Sequence, residues 1–113
     1  MYVLIDGATF SSAALFTAAL KSQRKATKFI GRETAGGEEG CNGMVIQEFT
    51  LPNTKVLIDF PWMCVESVAH NPTHGRGILP DYEVNYDPLD VVINKDRDLE
   101  KVMELIREDG KNE

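Results

Sequence analysis

The stretch Asp6-Gly7-Ala8-Thr9-Phe10-Ser11-Ser12-Ala13-Ala14-Leu15 constrains what this chain can fold into more than any other. The apolar run Tyr2-Val3-Leu4-Ile5 ahead of it reads as a buried strand. A tight turn opening with Asp-Gly follows, and a helix then starts at a serine. Strand, turn, serine, helix is an order that serine hydrolases use to present a nucleophile. The turn lifts the hydroxyl off the sheet, and the helix N-terminus aims unpaired N–H groups at developing negative charge. The competing reading is that Ser11 or Ser12 merely caps the helix, because serine is a favoured N-cap residue. The local pattern alone favours the cap, so the rest of the chain has to decide.

The helix after Ser11 is expected to run to about Ser22. Ala13, Ala14, Leu15, Phe16, Ala18, Ala19 and Leu20 are apolar on nearly all sides, which predicts a buried helix. Its end is polar and cationic, as suits a helix C-terminus. Thr27 to Ile30 reads as a second strand, so strand, helix and strand predict a right-handed parallel crossover. Gly31 to Gly43 is glycine-rich and acidic and is expected to be a long loop, of the kind that is usually functional or mobile. It lacks a Gly-Lys-Ser/Thr ending, and its carboxylates repel phosphate, so it is no phosphate loop. Met44 to Leu51 and Lys55 to Phe60, joined by Pro52-Asn53-Thr54, predict a hairpin. Trp62 to Val68 is a further strand candidate. Asn71 to Gly77 is a turn-rich loop carrying His74, and 77–84 leads into a short strand. Asp87-Pro88 predicts an N-cap with proline at the first helical position of a short helix ending near Val91 or Val92. Asp98 is the expected cap of a last helix striped by Leu99, Val102, Met103, Leu105 and Ile106, and Glu108 to Glu113 should fray. The mixture of elements predicts an α/β chain.

Length and charge exclude several functions. The 113 residues suffice for one small domain, 1–113, and not for two. A net charge of −6 makes nucleic acid an improbable partner. Cys41 and Cys64 make no disulfide scaffold and no close metal-ligand spacing, so free thiols are expected. Cys41 lies in the glycine-rich loop, and a reactive thiol there stays a minor option. No clustered His/Cys/Asp pattern asks for a metal, and no organic cofactor is called for. No stretch is long and apolar enough to span a membrane. Met1 is followed at once by a strand, as expected of a piece of a longer chain, so the lack of a signal peptide says nothing about compartment. Trp62 is most simply a core or interface residue.

Three stretches, in this order, resemble the C-terminal part of the tail-specific, or C-terminal processing, serine peptidases, including their tricorn-like branch. Residues 3–13 resemble that family's strand and nucleophile turn, in which a Thr-x-Ser precedes the buried helix. Residues 26–37, with Gly31-Arg32-Glu33-Thr34-Ala35-Gly36-Gly37, resemble its strand followed by Gly-Glu-Pro-Thr-x-Gly. Gly75-Arg76-Gly77-Ile78-Leu79-Pro80-Asp81 resembles its Gly-x-Gly-Ile-x-Pro-Asp signature. The resemblance covers about residues 2 to 107. It implies the second half of a crotonase/Clp-protease-like core: a mixed sheet with a buried helix after the nucleophile turn and a C-terminal helix. It implies a peptide or protein substrate, Ser11 as nucleophile, and the Ser12 N–H in the oxyanion hole, with Gly36 and Gly37 bordering the substrate.

The resemblance also shows what is lacking. The processing branch places its lysine base where this chain has Gly37, and Lys25 and Lys28 belong to the preceding segment. The tricorn-like branch takes a histidine from a region preceding the nucleophile and a glutamate from just before the third motif. That last position falls near His74, with Glu66 and His70 as neighbours, each more simply structural. The N-terminal part of the catalytic domain and a peptide-gripping PDZ domain would be separate from this chain. Sheet edges left unpaired by such a division predict association into a homo-oligomer. Relatives in bacteria are commonly exported, which implies a cell-envelope or exported protein. The alternatives to a peptidase are a non-catalytic peptide-binding relative of the same fold and a crotonase-type enzyme acting on thioesters. The latter fits the architecture but not the Thr-x-Ser turn.

Overall fold

The structure is a computed structural model and describes residues 1–43 and 45–111. In order it contains β1 (Tyr2–Ile5), α1 (Ser12–Gln23), β2 (Lys28–Gly31), β3 (Gly40–Asn42), β4 (Ile46–Thr50), β5 (Leu57–Pro61), β6 (Cys64–Glu66), β7 (Tyr82–Glu83), α2 (Pro88–Val92) and α3 (Arg97–Asp109). The architecture is mixed α/β, as expected, but divided into three small sheets. The main sheet has the order β1-β2-β7, all parallel, with Tyr2 opposite Lys28 and Ile30 opposite Tyr82.

β2 organises the core because its side chains alternate across the sheet. Phe29 faces one side, where it packs with Ile5, Ala18 and Ile78. Ile30 faces the other, where it packs with Val84 and Leu105. The sheet is therefore a middle layer, with α1 on one face and α3 on the other. Burying Phe29 and Ile30 contributes roughly 1.5–3 kcal/mol apiece. Ion pairs fasten α3 at both ends. At its start, Arg97 donates two 2.9 Å hydrogen bonds to the buried Asp90 carboxylate. At its end, Lys28 Nζ reaches both Asp109 oxygens at 2.7 Å, and the Tyr2 hydroxyl also donates to Asp109.

Several expectations are corrected. α1 is not buried all round: Ala14, Thr17 and Ala18 are buried, but Phe16 is 66% exposed. Its small residues bring one side close to the sheet, and no other described element covers the outer side. The stretch 31–43 is not all loop, because Gly40–Asn42 pairs antiparallel with Cys64–Glu66, the only part of Trp62–Val68 that is strand. Asp96 caps α3, accepting from the Leu99 N–H at 2.9 Å. Asp98 lies inside the first turn and exchanges hydrogen bonds with the Tyr86 hydroxyl instead. Starting two residues earlier carries Arg97 to Asp90. The helix runs to Asp109, which its partners hold in place; Asn112 and Glu113, the end of the segment expected to fray, lie outside the described residues. The predicted short helix is as expected, with the Asp87 N–H bonded to Asp90 Oδ2 and proline at the start.

The hairpin is found, with Ile46 opposite Pro61 and Thr50 opposite Leu57; Met44, expected to begin it, lies outside the described residues. Leu51 O accepts from Lys55 N at 3.0 Å, and Lys55 closes the turn in the left-handed region at φ 59°. Every residue of β4 and β5 is exposed. The molecule is correspondingly drawn out, 67 × 38 × 17 Å with a radius of gyration of 18.4 Å, against about 13 Å for an ordinary domain of 100 residues. No described helix is long and apolar enough to cross a membrane.

A Cβ on Gly77 would lie 1.8 Å from the Thr34 carbonyl oxygen, whereas one on Gly7 would meet nothing within 4 Å. Gly77→Ala is therefore expected to cost ~3 kcal/mol or more, and Gly7→Ala less than ~0.5 kcal/mol. Thermal unfolding of the two variants checks this; equal melting temperatures would contradict it. Acid stability follows from the carboxylates. Arg97 and the Asp87 amide hold Asp90 below its ordinary range, and Lys28 and Tyr2 do the same for Asp109. Groups lowered in the folded state add stability above their unfolded pKa. Stability should thus be full at neutral pH and fall below about pH 4, down through the lowered folded values. A melting temperature that stays flat from neutral pH to well below that range would refute the assignment.

Candidate active site

The turn that carries Ser11 is held by its own residues first. Thr9 N donates to Asp6 O at 2.9 Å, Ala8 N donates to Asp6 Oδ1 at 2.9 Å, and Asp6 N donates to Thr9 Oγ1 at 3.2 Å. Aspartate suits this position because its short carboxylate bonds the backbone two residues on. Ser11 then sits at φ 52°, ψ −127°, a conformation that costs a non-glycine residue of order 1–3 kcal/mol. Its side chain makes no capping hydrogen bond to α1 and is exposed. The competing reading of Ser11 as a helix cap therefore fails at the level of the side chain. Phe10 O takes the Ala13 amide and Ser11 O takes the Leu15 amide. Ser12 is the first residue of α1, so its N–H has no acceptor within the helix.

The second motif backs this turn. Gly36 N donates to Thr9 O at 3.0 Å. A Cβ on Gly36 would stand 2.4 Å from Ala14 Cβ and 2.8 Å from Phe10 Cα, so only glycine lets this segment lie so close. Ser11, Gly36 and Gly37 come together along an open groove of about 470 Å³, with Phe10, Cys41 and Ile46 also in its wall.

The third motif locks onto the second. Thr34 Oγ1 donates to Gly36 O at 2.7 Å and accepts from Ile78 N at 2.8 Å. Thr34 N donates to Ile78 O at 3.1 Å, and Glu38 N donates to Arg76 O at 3.1 Å. Glu33 receives Arg76 through both Nε and Nη2, at 3.1 and 2.7 Å, and the Gly77 amide at 3.0 Å. The Arg76 guanidinium, helped by that amide, holds the Glu33 carboxyl below its ordinary range. Asp81 closes the set, accepting from Phe29 N at 2.8 Å and donating its own N–H to Phe29 O at 2.8 Å. Glu33, Thr34, Gly77 and Asp81 were legible only as letters of a motif; no local pattern marks them as a clasp.

His74 stands apart from Ser11. It is exposed, with Nδ1 2.5 Å from Glu39 Oε2. It lines a neighbouring hollow with Glu66, and that hollow shares Gly40 and Asn42 with the Ser11 groove. His70 is exposed and uses its backbone N–H on Ser22 Oγ at 3.1 Å. Glu38 is buried; burial pushes its carboxyl up, but the Thr73 amide and Lys21 outweigh this and hold it low. Lys21 is thereby engaged 3.1 Å from Glu38. Cys41 and Cys64 are free thiols, as expected. Their registers with Val65 and Asn42 differ by one residue, which puts the two side chains on opposite faces of the β3–β6 ribbon. Among the described residues no group of three or more His, Cys, Asp or Glu could hold a metal ion.

A family model described as peptidase family S41 matches residues 1–84. A comparison with curated proteins returns no match. The matched span takes in β1, the Ser11 turn and the Thr34–Gly36 segment, and ends at Val84, just past the third motif; it is well over half of the chain. The chain belongs to peptidase family S41, the C-terminal processing peptidase family, and is a serine-peptidase-type domain.

Proposed function

We propose that this chain is part of the catalytic domain of a serine endopeptidase and that Ser11 is its nucleophile. One observation carries the reading: Ser11 holds a strained backbone conformation while its hydroxyl, unused by the helix, borders an open groove. Strain of this kind persists where the surroundings over-determine it, which is common at active sites. In the reaction, Ser11 Oγ bonds to the carbonyl carbon of a peptide as a base takes its proton. The carbonyl oxygen becomes an oxyanion, stabilised by the Ser12 N–H and the positive end of α1. Collapse breaks the C–N bond, the amine leaves with the proton, and water then hydrolyses the acyl ester. Gly36 and Gly37 border the bound peptide or protein segment. No metal or organic cofactor takes part.

The base comes from outside these 113 residues, because glycine stands at position 37 where the processing branch has lysine. On this reading, residues 1–113 are the C-terminal half of a tricorn-like, crotonase/Clp-type catalytic domain. The N-terminal half is its main partner, and the isolated chain is inactive. His74 is the alternative base or orienter, since a carboxylate such as Glu39 holds an imidazole in one orientation. A second reading, a non-catalytic peptide-binding relative, is favoured by the same Gly37. The free edges of β1 and of the β4–β5 hairpin further support self-association of the chain. One hairpin face carries Phe49, Ile58 and Phe60 into solvent.

A fluorophosphonate probe on the full-length peptidase should label Ser11, and Ser11→Ala should abolish the label. A folded, unlabelled full-length protein would remove the peptidase reading in favour of the binding relative. The isolated chain should show no proteolysis; Ser11-dependent cleavage by it would place the base within the chain, and His74→Ala would then test His74. Light scattering of the isolated chain at crystallisation-range concentration should show dimers or larger species, and a clean monomer would end the association proposal.

A further inference from the structure

We propose that Thr34 is a positioning residue for the nucleophile, holding the Ser11 turn through Gly36; this rests on the reading of Ser11 as nucleophile. The Ser11 conformation needs an external restraint, because its own hydroxyl does not cap α1. Asp6 and Thr9 fix the turn only as far as residue 9. On the far side the restraint is Gly36, whose N–H holds Thr9 O and which lies so near Phe10, Ser11 and Ala14 that a Cβ there would clash with them. Gly36 has no side chain with which to anchor itself. Its carbonyl is held instead by the Thr34 hydroxyl at 2.7 Å, and that same oxygen accepts the Ile78 amide at 2.8 Å.

Thr34 is 3% exposed, so water does not substitute readily for either bond. The trans peptide between Gly36 and Gly37 is planar, so fixing the Gly36 carbonyl also fixes the direction of the Gly37 N–H. Both residues border the Ser11 groove. A single hydroxyl thus connects the third motif to the nucleophile turn, and its loss should leave the core intact but the turn loose. A loose turn lowers the rate of attack more than it weakens substrate binding, because misplacement by about 1 Å can cost ~100-fold in rate.

The test compares Thr34→Val, which keeps the shape and loses the hydroxyl, with Thr34→Ser, which keeps it. In the full-length peptidase, Thr34→Val should slow fluorophosphonate labelling of Ser11 by ~10- to 100-fold. It should also lower kcat with KM nearly unchanged, while Thr34→Ser restores both. Wild-type labelling by folded Thr34→Val, or equal slowing in Thr34→Ser, overturns the proposal. If Thr34→Val does not fold, Thr34→Cys replaces it. Its weaker, longer bond must slow labelling, and a wild-type rate in folded Thr34→Cys overturns the proposal equally. NMR of the isolated chain separates this from failure of the nucleophile reading. Backbone shifts of Ser11 and Ser12 should move in Thr34→Val, or in its Cys replacement, and not in Thr34→Ser, whether or not Ser11 reacts. Unmoved shifts overturn the positioning role; moved shifts with an unlabelled wild type uphold it as a constraint on the turn and remove only the nucleophile.

Discussion

Everything near Ser11 depends on one close approach, that of the segment 34–37 to its neighbours on both sides. On one side Gly36 lies against the Ser11 turn with no room for a Cβ. On the other, Gly77 lies against the Thr34 carbonyl with less room still. Between them the Thr34 hydroxyl uses its one proton on Gly36 O and its lone pair on Ile78 N. Backbone this tightly packed and this dry must satisfy its polar groups internally, and threonine does so in the smallest volume available. The exposed Glu33–Arg76 pair outside the clasp is a weaker supplement, screened by water.

The clasp matters more here than it would in a larger protein, because the apolar core is small. Two clusters, one on each face of β2, hold the three layers together. The C-terminal helix adds Leu105 to one of them, packs Val102 against it, and is fastened by charge at its two ends, Arg97 on Asp90 and Asp109 on Lys28. Asp90 is buried and fully hydrogen-bonded, so removing Arg97 would leave a costly unpaired carboxylate. The first link is local and the second joins the two ends of the chain, and both make the fold sensitive to acid.

Much apolar surface remains uncovered: the outer side of α1 at Phe16, the hairpin at Phe49 and Val56, and Leu99 and Met103 on α3. A two-stranded hairpin exposed on both faces is marginal by itself in water. The drawn-out shape is the geometric side of the same fact, since among the described residues β4 and β5 pair with each other and with no other strand. The Ser11 groove opens at the base of this hairpin, between Ile46 and Pro61 on one side and Gly36 and Gly37 on the other.

What the sequence alone determined is local. The apolar run before Asp6-Gly7, the serine at the head of an alanine-rich helix, the turn at Pro52-Asn53 and the Asp87-Pro88 start all act within a few residues, and each is found where expected. The order of three motifs was likewise enough to indicate the family that the match over residues 1–84 shows. Tertiary structure decided the rest. Asp96 rather than Asp98 caps α3, and the earlier start brings Arg97 to Asp90. Gly40–Asn42 became a strand because Cys64–Glu66 lies beside it, not through any propensity of its own. Phe16 stayed in water because no described layer closes over the outer side of α1. The Ser11 hydroxyl makes no cap, and Gly36, twenty-five residues on, lies against its turn with no room for a Cβ. Such choices depend on which distant groups arrive at van der Waals distance, and no window of sequence contains that information.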